Sequence, residues 1–138
     1  MLIFSYRLLQ VIFFPIILFI GLIRIYNKKE NYSSFIQKVF SNQNYKKICR
    51  SDYLIHFASI GELNSIKFLI ESLDNNNIVL SCSTLSSFEI SKKKYPNLFC
   101  IFLPIDLFWN VNNFLSKTNF KKILWIDSEI WPNWLLIS

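Results

Sequence analysis

Residues 53–62, Tyr-Leu-Ile-His-Phe-Ala-Ser-Ile-Gly-Glu, join a continuous apolar run to a polar stretch that breaks it. Such a run is typical of a short strand that is buried on both faces of a sheet. Four apolar residues then follow at spacings of three and four: Leu63, Ile66, Ile70 and Leu73. This spacing predicts one face of a helix. The segment therefore predicts a strand, a tight loop and a helix, the unit from which parallel sheets are built.

The rest of the chain repeats this alternation. The further predicted strands cover residues 78–83, 98–103 and 122–126, and the predicted helices cover 86–95, 106–116 and the stretch that Trp131-Pro132 opens. Proline is well tolerated in the first turn of a helix. Apolar strands separated by helices indicate βαβ units. We therefore expect an α/β fold with a Rossmann-like parallel sheet over residues 53–138, preceded by a membrane helix.

Four loops follow the predicted strands, over residues 59–62, 83–87, 104–106 and 127–133. In open parallel sheets, ligands bind at the edge where the strands end. Several polar residues there also suit a purely structural role. Ser59 with Glu62, and Ser86 with Glu89, have the spacing of a capping box. Asp106 suits an N-cap of the helix that follows it.

Two aromatic side chains near these loops have a structural and a functional alternative. His56 suits a buried histidine with satisfied hydrogen bonds better than a catalytic group. Trp131 suits either a platform for a substrate or a packed side chain at a helix start.

The amino-terminal segment is strongly apolar. Residues 8–23 contain one polar side chain, Gln10, and Arg7 and Arg24 flank them. As a helix these 16 residues extend about 24 Å, short of the roughly 30 Å hydrocarbon core of a bilayer. The segment predicts a membrane anchor over residues 1–27, either a marginal span or an interfacial helix bent at Pro15. A cleaved signal peptide and a buried soluble helix are the less favoured alternatives.

The remaining composition excludes several classes of function. The 138 residues carry a net charge of +6 without an arginine cluster, so a nucleic-acid interface is not predicted. Three cysteines without a C-x-x-C pair, and one histidine, argue against a disulfide framework or a metal site. No glycine-rich phosphate loop is present. Residues 28–52 are expected to form an amphipathic linker.

Three loop motifs together resemble a known family. Residues 56–62 read H-F-A-S-I-G-E, residues 103–106 read L-P-I-D, and residues 127–133 read D-S-E-I-W-P-N. They are similar, in order, to the H-x-x-S-x-G-E, L-P-x-D and E-S/T-E-L/I-W-P-N of the 3-deoxy-D-manno-octulosonic acid (Kdo) transferases of lipopolysaccharide assembly. The apolar amino terminus matches that family as well.

The resemblance implies the acceptor half of a glycosyltransferase-B architecture and transfer of Kdo from CMP-Kdo to a lipid A precursor, lipid IVA. It implies Glu62 as the catalytic base and Glu129 as a second catalytic carboxylate. It also implies that Ser59, Gly61 and Thr84 line the acceptor pocket. CMP-Kdo is then the donor substrate, and neither a metal nor a further cofactor is expected.

This sequence departs from the family pattern in three places. Asp127 stands where the family usually has Glu. Residues 82–87 keep Thr84 of a T-x-T-x-T-G stretch but lack its glycine, and the family's R-x-x-E-R-x-G segment is not recognisable in residues 35–41.

The resemblance also implies a second, donor-binding domain. Because the sequence ends at Ser138, inside the last predicted helix, we expect a truncated acceptor domain that is inactive alone. The inner membrane is the expected location. Lys28 and Lys29 after the apolar run favour a cytoplasmic catalytic part. The alternatives are another membrane-associated glycosyltransferase or a membrane-anchored α/β binding module.

Overall fold

The computed structural model describes residues 2–73, 77–126, 129 and 131–137. Its helices are α1 (Leu2–Tyr26), α2 (Tyr32–Phe40), α3 (Tyr45–Ile48), α4 (Ile60–Ser65), α5 (Lys67–Ser72), α6 (Leu85–Lys94), α7 (Phe108–Ser116) and α8 (Pro132–Ile137). Its strands are β1 (Tyr53–Phe57), β2 (Ile78–Cys82), β3 (Phe99–Phe102) and β4 (Lys122–Trp125). The α/β alternation predicted from the sequence is confirmed.

The four strands form one parallel sheet in the order β3-β2-β1-β4. β1 is central, and Tyr53 pairs with Ile78 of β2 on one side and with Lys122 of β4 on the other. The chain therefore adds β2 and β3 on one side of β1 and then crosses over to place β4 on the other. This reversal puts a topological switch point between β1 and β4, where open α/β sheets form their ligand crevice.

Side chains alternate between the two faces of the sheet, and each face is covered by helices. On one face, Ile55 and Phe57 of β1 pack with apolar residues of α4 and α5. On the other face, Leu54 packs with Val111 of α7 and Trp134 of α8. Burial on both faces explains why the strands are continuous apolar runs rather than alternating ones.

The helix predicted after β1 is two helices. α4 ends and α5 begins around Ile66, whose backbone dihedrals of −94° and 6° lie outside the helical region. The apolar spacing survives the break, since Leu63, Ile66 and Ile70 are all buried in the same core. The spacing of apolar residues in the sequence shows which side chains face the core. It does not show whether the helix between them is kinked.

Helix α1 is long and apolar enough to cross a membrane, by length and composition, over Ile3–Tyr26. It ends in a turn in which Lys28 has a φ of 56°, and the Lys29 amide donates to the Arg24 carbonyl over 3.0 Å. Residues 28–31 thus lead directly into α2, where Asn31 forms a capping box with Ser34.

Close packing joins α1 to α2 at Gly21, where a Cβ atom would overlap the ring of Phe35. Phe35 is itself buried, so the ring has neighbours on its other sides. The second glycine, Gly61 in α4, is different, because the nearest atom to its Cβ position is Ser59 Oγ at 3.8 Å.

We expect the two glycines to respond oppositely to alanine. Gly61→Ala should raise the free energy of unfolding by up to about 1 kcal/mol, since alanine is the better helix former. Gly21→Ala should lower it by about 1 to 3 kcal/mol, since Phe35 must move. Urea unfolding of both variants in detergent micelles measures the difference. Equal stabilisation by the two substitutions would show that α1 does not pack on α2 through Gly21.

Candidate functional site

The loops that follow β1 and β2 are bonded to each other at the carboxyl edge of the sheet. Thr84 Oγ1 donates to the Ala58 carbonyl over 3.3 Å, and Ser87 Oγ donates to the same carbonyl over 3.1 Å. This contact joins the loop of residues 59–62 to the loop of residues 83–87. The edge of the sheet is therefore a connected polar surface, as the sequence predicted.

Glu62 lies in the first turn of α4 and completes a capping box with Ser59. Its Oε2 accepts from the Ala58 amide over 2.7 Å and from the Ser59 amide over 3.2 Å, while the Glu62 amide donates to Ser59 Oγ over 3.2 Å. Both amide bonds to the carboxylate end on Oε2, so Oε1 takes no part in them.

The cap also sets the charge state of Glu62. Desolvation raises the pKa of the carboxyl group, but the amides of Ala58 and Ser59, the Ser59 hydroxyl and the charge of His56 outweigh it. The pKa of Glu62 therefore lies below its ordinary value. At neutral pH the residue is an ionised carboxylate in a fixed orientation, next to the exposed Gly61.

The three residues predicted to line a pocket, Ser59, Gly61 and Thr84, lie close together. The side chains of two of them form hydrogen bonds that cap helices. Ser59 is the N-cap of α4 and Thr84 is the N-cap of α6, where its Oγ1 accepts from the Ser87 amide over 3.3 Å. The capping box predicted for Ser86 and Glu89 is wrong, because the helix begins earlier. The N-cap is the last residue with an extended backbone before the helix begins, and here that residue is Thr84.

His56 lies buried beneath this surface. Its Nδ1 is 3.1 Å from Ser81 Oγ and its Nε2 is 3.4 Å from Ser83 Oγ, and its ring centroid lies 4.4 Å from that of Trp125. Burial lowers the pKa of His56 from 6.5 to about 4, despite the bond with Ser81 and the nearby Glu62. The imidazole is therefore neutral at physiological pH, and it packs beneath the loops.

Glu129 follows β4, on the other side of the switch point from Glu62. Its backbone carbonyl accepts from Trp125 Nε1 over 3.1 Å, and its Oε2 accepts from Trp131 Nε1 over 3.3 Å. The Trp125 indole thus fixes the backbone of Glu129, and the Trp131 indole holds its exposed carboxylate at the edge of the sheet. Its neighbours Asp127, Ser128 and Ile130 lie outside the described residues.

Asp106 corrects one prediction. It does not cap α7, whose N-cap residue is Leu107 with no side-chain bond. Its two carboxylate oxygens instead accept from the Asn133 amide over 3.2 Å and the Trp134 amide over 3.1 Å, in the first turn of α8. The carboxylate also accepts from Tyr6 Oη over 2.8 Å. The L-P-I-D loop therefore caps a helix that lies 27 residues later in the sequence.

Helix α1 contributes residues to this edge that the motif analysis missed. Gln10 donates to the Asp106 carbonyl, and its Oε1 accepts from the Phe108 amide and from Asn133 Nδ2, each over 3.2 Å. The sequence did contain an indication of this role, because Gln10 is the one polar side chain within residues 8–23. A buried polar group needs partners, and they lie on the sheet edge.

A second missed group is a buried ion pair between Glu30 and Lys38, which Arg24 extends by a contact of 3.3 Å to Glu30. The Lys38 ammonium also lies 4.9 Å from the centroid of the Phe102 ring at the end of β3. Lys38 falls in the segment 35–41 that showed no arginine-rich motif, yet that segment brings a cation to the sheet edge.

Three of the cavities in the described part of the chain open beside the edge. One, of about 250 Å³, has walls from α1, α2 and the strand ends, and its lining is mostly apolar with Arg24, Glu30 and Lys38 among it. A second, of about 380 Å³, brings Lys28 and Lys29 beside Thr84. A third, of about 300 Å³, is lined by Asp106, Glu129 and Trp131. Within the described part of the chain, no cluster of three or more potential metal ligands occurs.

Comparison with known proteins agrees with the motif analysis. A model of the 3-deoxy-D-manno-octulosonic-acid transferase (kdotransferase) family matches residues 27–138. A bifunctional glycosyltransferase/methyltransferase from Fusobacterium nucleatum subsp. nucleatum is 31% identical over 112 residues. That alignment covers 76% of this chain and 17% of the relative, so the chain spans about a sixth of the relative's length.

We expect the stability of the chain to fall as pH drops from 7 to 5. The unfolded state binds a proton at His56 below pH 6.5, whereas the folded state resists protonation until about pH 4. The folded chain should lose about 2 kcal/mol over this interval through His56 alone. Urea unfolding at both pH values, compared with His56→Gln, isolates this contribution. An equal pH dependence in the variant would mean that His56 is not buried as a neutral group.

Proposed function

The chain belongs to the 3-deoxy-D-manno-octulosonic-acid transferase family, and from this membership we propose that it forms the acceptor-binding half of a Kdo transferase. The donor is CMP-Kdo and the acceptor is a lipid A precursor, lipid IVA. The observation that carries this proposal is the ionised carboxylate of Glu62, fixed at the carboxyl edge of the sheet beside the switch point.

Glu62 is the general base of the transfer. Its carboxylate takes the proton of an acceptor glucosamine hydroxyl while that oxygen bonds to the anomeric carbon of Kdo, and the bond from that carbon to the CMP phosphate oxygen breaks. CMP leaves with the electron pair, and because the hydroxyl attacks in one step from the opposite face, the transfer inverts the anomeric centre. The amide bonds to Oε2 fix the orientation of the carboxylate and leave Oε1 to accept the proton.

The low pKa of Glu62 keeps the base ionised before the acceptor arrives. A bound lipid acceptor removes water from the carboxylate, and desolvation raises the pKa of an acid. The base therefore strengthens as the substrate closes over it. General base catalysis of this kind contributes about 10² to 10⁴ in rate.

Glu129 orients the acceptor from the other side of the switch point. The Trp131 indole holds one carboxylate oxygen, which supports a fixed direction for hydrogen bonds to sugar hydroxyls. Gly61 leaves space above the Glu62 turn, and Ser59 and Thr84 border it.

The charged groups beside Thr84 suit the phosphates of the acceptor. Arg24, Lys28 and Lys29 line the same cavity as Thr84 and Ser86. Charge-assisted bonds between these cations and a phosphate are stronger than bonds between neutral groups. The apolar cavity next to it, beside α1, suits the acyl part of the same molecule.

The transfer takes place at the cytoplasmic side of the inner membrane. Helix α1 exposes large apolar side chains, and Lys28 and Lys29 follow it, which supports membrane attachment with the sheet on the cytoplasmic side. CMP-Kdo is held by a second domain across the cleft. No metal or further cofactor takes part in this scheme.

We expect the 138-residue chain in detergent micelles to bind lipid IVA and not CMP-Kdo. Replacing Lys28 and Lys29 together by Gln should weaken lipid IVA binding by on the order of 10-fold, because two phosphate contacts are lost. The control replaces Lys46 and Lys47 of α3, an adjacent pair that removes the same charge. Isothermal titration measures all three affinities. Equal losses in both double variants would contradict a specific acceptor site beside Thr84.

When this chain is supplied together with a CMP-Kdo-binding half, Glu62→Gln should lower the transfer rate by about 10² to 10⁴. The amide oxygen of Gln can still accept from the Ala58 and Ser59 amides, so the melting temperature should change little. Glu71→Gln, on the exposed surface of α5, is the matched control. Transfer of radiolabelled Kdo measures the rate. Near-normal transfer in Glu62→Gln would leave Glu62 as a cap alone and would make Glu129 the carboxylate to test.

A further inference from the structure

Helix α1 contacts the α/β domain near its start and the segment that follows it, residues 28–40, near its end. Near its start, Tyr6 bonds to Asp106 and the Arg7 guanidinium lies 4.2 Å from the centroid of the Phe108 ring. Near its end, Arg24 pairs with Glu30. From Tyr6 to Arg24 the helix axis advances about 27 Å.

The contacts between these two ends follow one stripe of the helix. Gln10 bonds to the sheet edge, the Phe14 ring lies edge-on to Trp109 at 5.4 Å, and Gly21 meets Phe35. Together with positions 6, 7 and 24, these residues recur at intervals of three, four or seven, which is the period of one helix face. The stripe carries four polar side chains that take part in the contact: Tyr6, Arg7, Gln10 and Arg24.

Outside this stripe α1 is apolar and exposed. Phe4, Val11 and Leu22 lie on one line along the helix, with 74%, 59% and 60% of their surfaces accessible. Ile12 and Phe19, on the side directly opposite the stripe, are exposed to 60% and 64%. A contiguous apolar strip of this length is not stable in water and marks a surface that contacts another apolar phase.

From these two sides we infer that α1 lies in the plane of a membrane, with its outer side in the acyl chains of one leaflet and its inner stripe on the domain. This inference rests on the membrane attachment in the proposed function and specifies its geometry. The occupant of the exposed strip is a single lipid leaflet with anionic headgroups.

Two features favour lipid over a second copy of the chain. Helices that associate inside membranes bring small residues to their interface. The exposed strip carries large side chains, whereas Gly21, the only glycine within α1, faces Phe35 on the inner side. The strip also ends at the exposed Tyr26, followed by Lys28 and Lys29, and aromatic and basic residues favour the headgroup region.

An upright, spanning α1 conflicts with the contacts near its amino-terminal end. Asp106, which Tyr6 and Gln10 contact there, would enter the hydrocarbon with the helix or lose these partners. A detached helix would still place Arg7 and Gln10 in or near the acyl chains without their bonds, which is unfavourable. In the plane of the membrane every one of these contacts remains, and the sheet edge lies at headgroup level.

The depth of α1 tests this geometry. Phe4→Cys, Val11→Cys and Leu22→Cys are each labelled with bimane in the full chain carrying Cys49→Ser, since Cys82 and Cys100 are buried. The chains are bound to vesicles of phosphatidylethanolamine and phosphatidylglycerol that contain nitroxides at two chain depths. Phe14→Cys, on the inner stripe, is the control. Labelling of the Cys49→Ser parent checks that the fold protects the two buried thiols.

An in-plane helix predicts the same shallow depth at positions 4, 11 and 22, and weaker quenching at position 14. A spanning helix predicts depths that differ by roughly 10 Å between positions 4 and 11 and by roughly 16 Å between 11 and 22. That graded result would overturn the in-plane geometry and leave membrane attachment intact. A chain that does not float with the vesicles at all would overturn both.

Discussion

All four strands of the sheet run in one direction, so every strand ends at the same edge, and the loops that carry the polar residues must meet there. The crossover that places β4 beside β1 opens this edge at one point. Glu62 follows β1 and Glu129 follows β4, so the two carboxylates lie on either side of that point. The direction and order of the strands therefore determine where the candidate site lies, more than any single contact does.

The second constraint is that buried polar groups need partners. The first amides of a helix have no acceptor within that helix, and at the start of α8 the carboxylate of Asp106 accepts from those of Asn133 and Trp134. Desolvation raises the pKa of Asp106, and the bonds from Tyr6, Asn133 and Trp134 partly offset that effect. Through Tyr6 and Gln10 the same group fixes α1 against the sheet edge. Helix α1 and the first turn of α8 therefore share one hydrogen-bond network at the sheet edge.

Structural and catalytic roles are compatible at Glu62. A capping box uses one carboxylate oxygen to satisfy backbone amides, and it thereby fixes the position of the other oxygen. If Glu62 acts as the proposed base, its own helix start orients it. Burial of His56 directly beneath it keeps that residue neutral, so the loop gains packing support without a competing titratable group at neutral pH.

The sequence by itself determined the features that depend on local pattern. Continuous apolar runs indicated strands buried on both faces, and Ser59-x-x-Glu62 and Trp131-Pro132 marked two helix starts where the structure has them. Tertiary structure alone decided which groups meet across the chain. Asp106 looked like the cap of the next helix but caps α8, because a carboxylate bonds to whichever helix-start amides the fold brings near it. The docking of Gln10 and the low pKa of His56 likewise arise from burial and from contacts between distant segments, which no local spacing encodes.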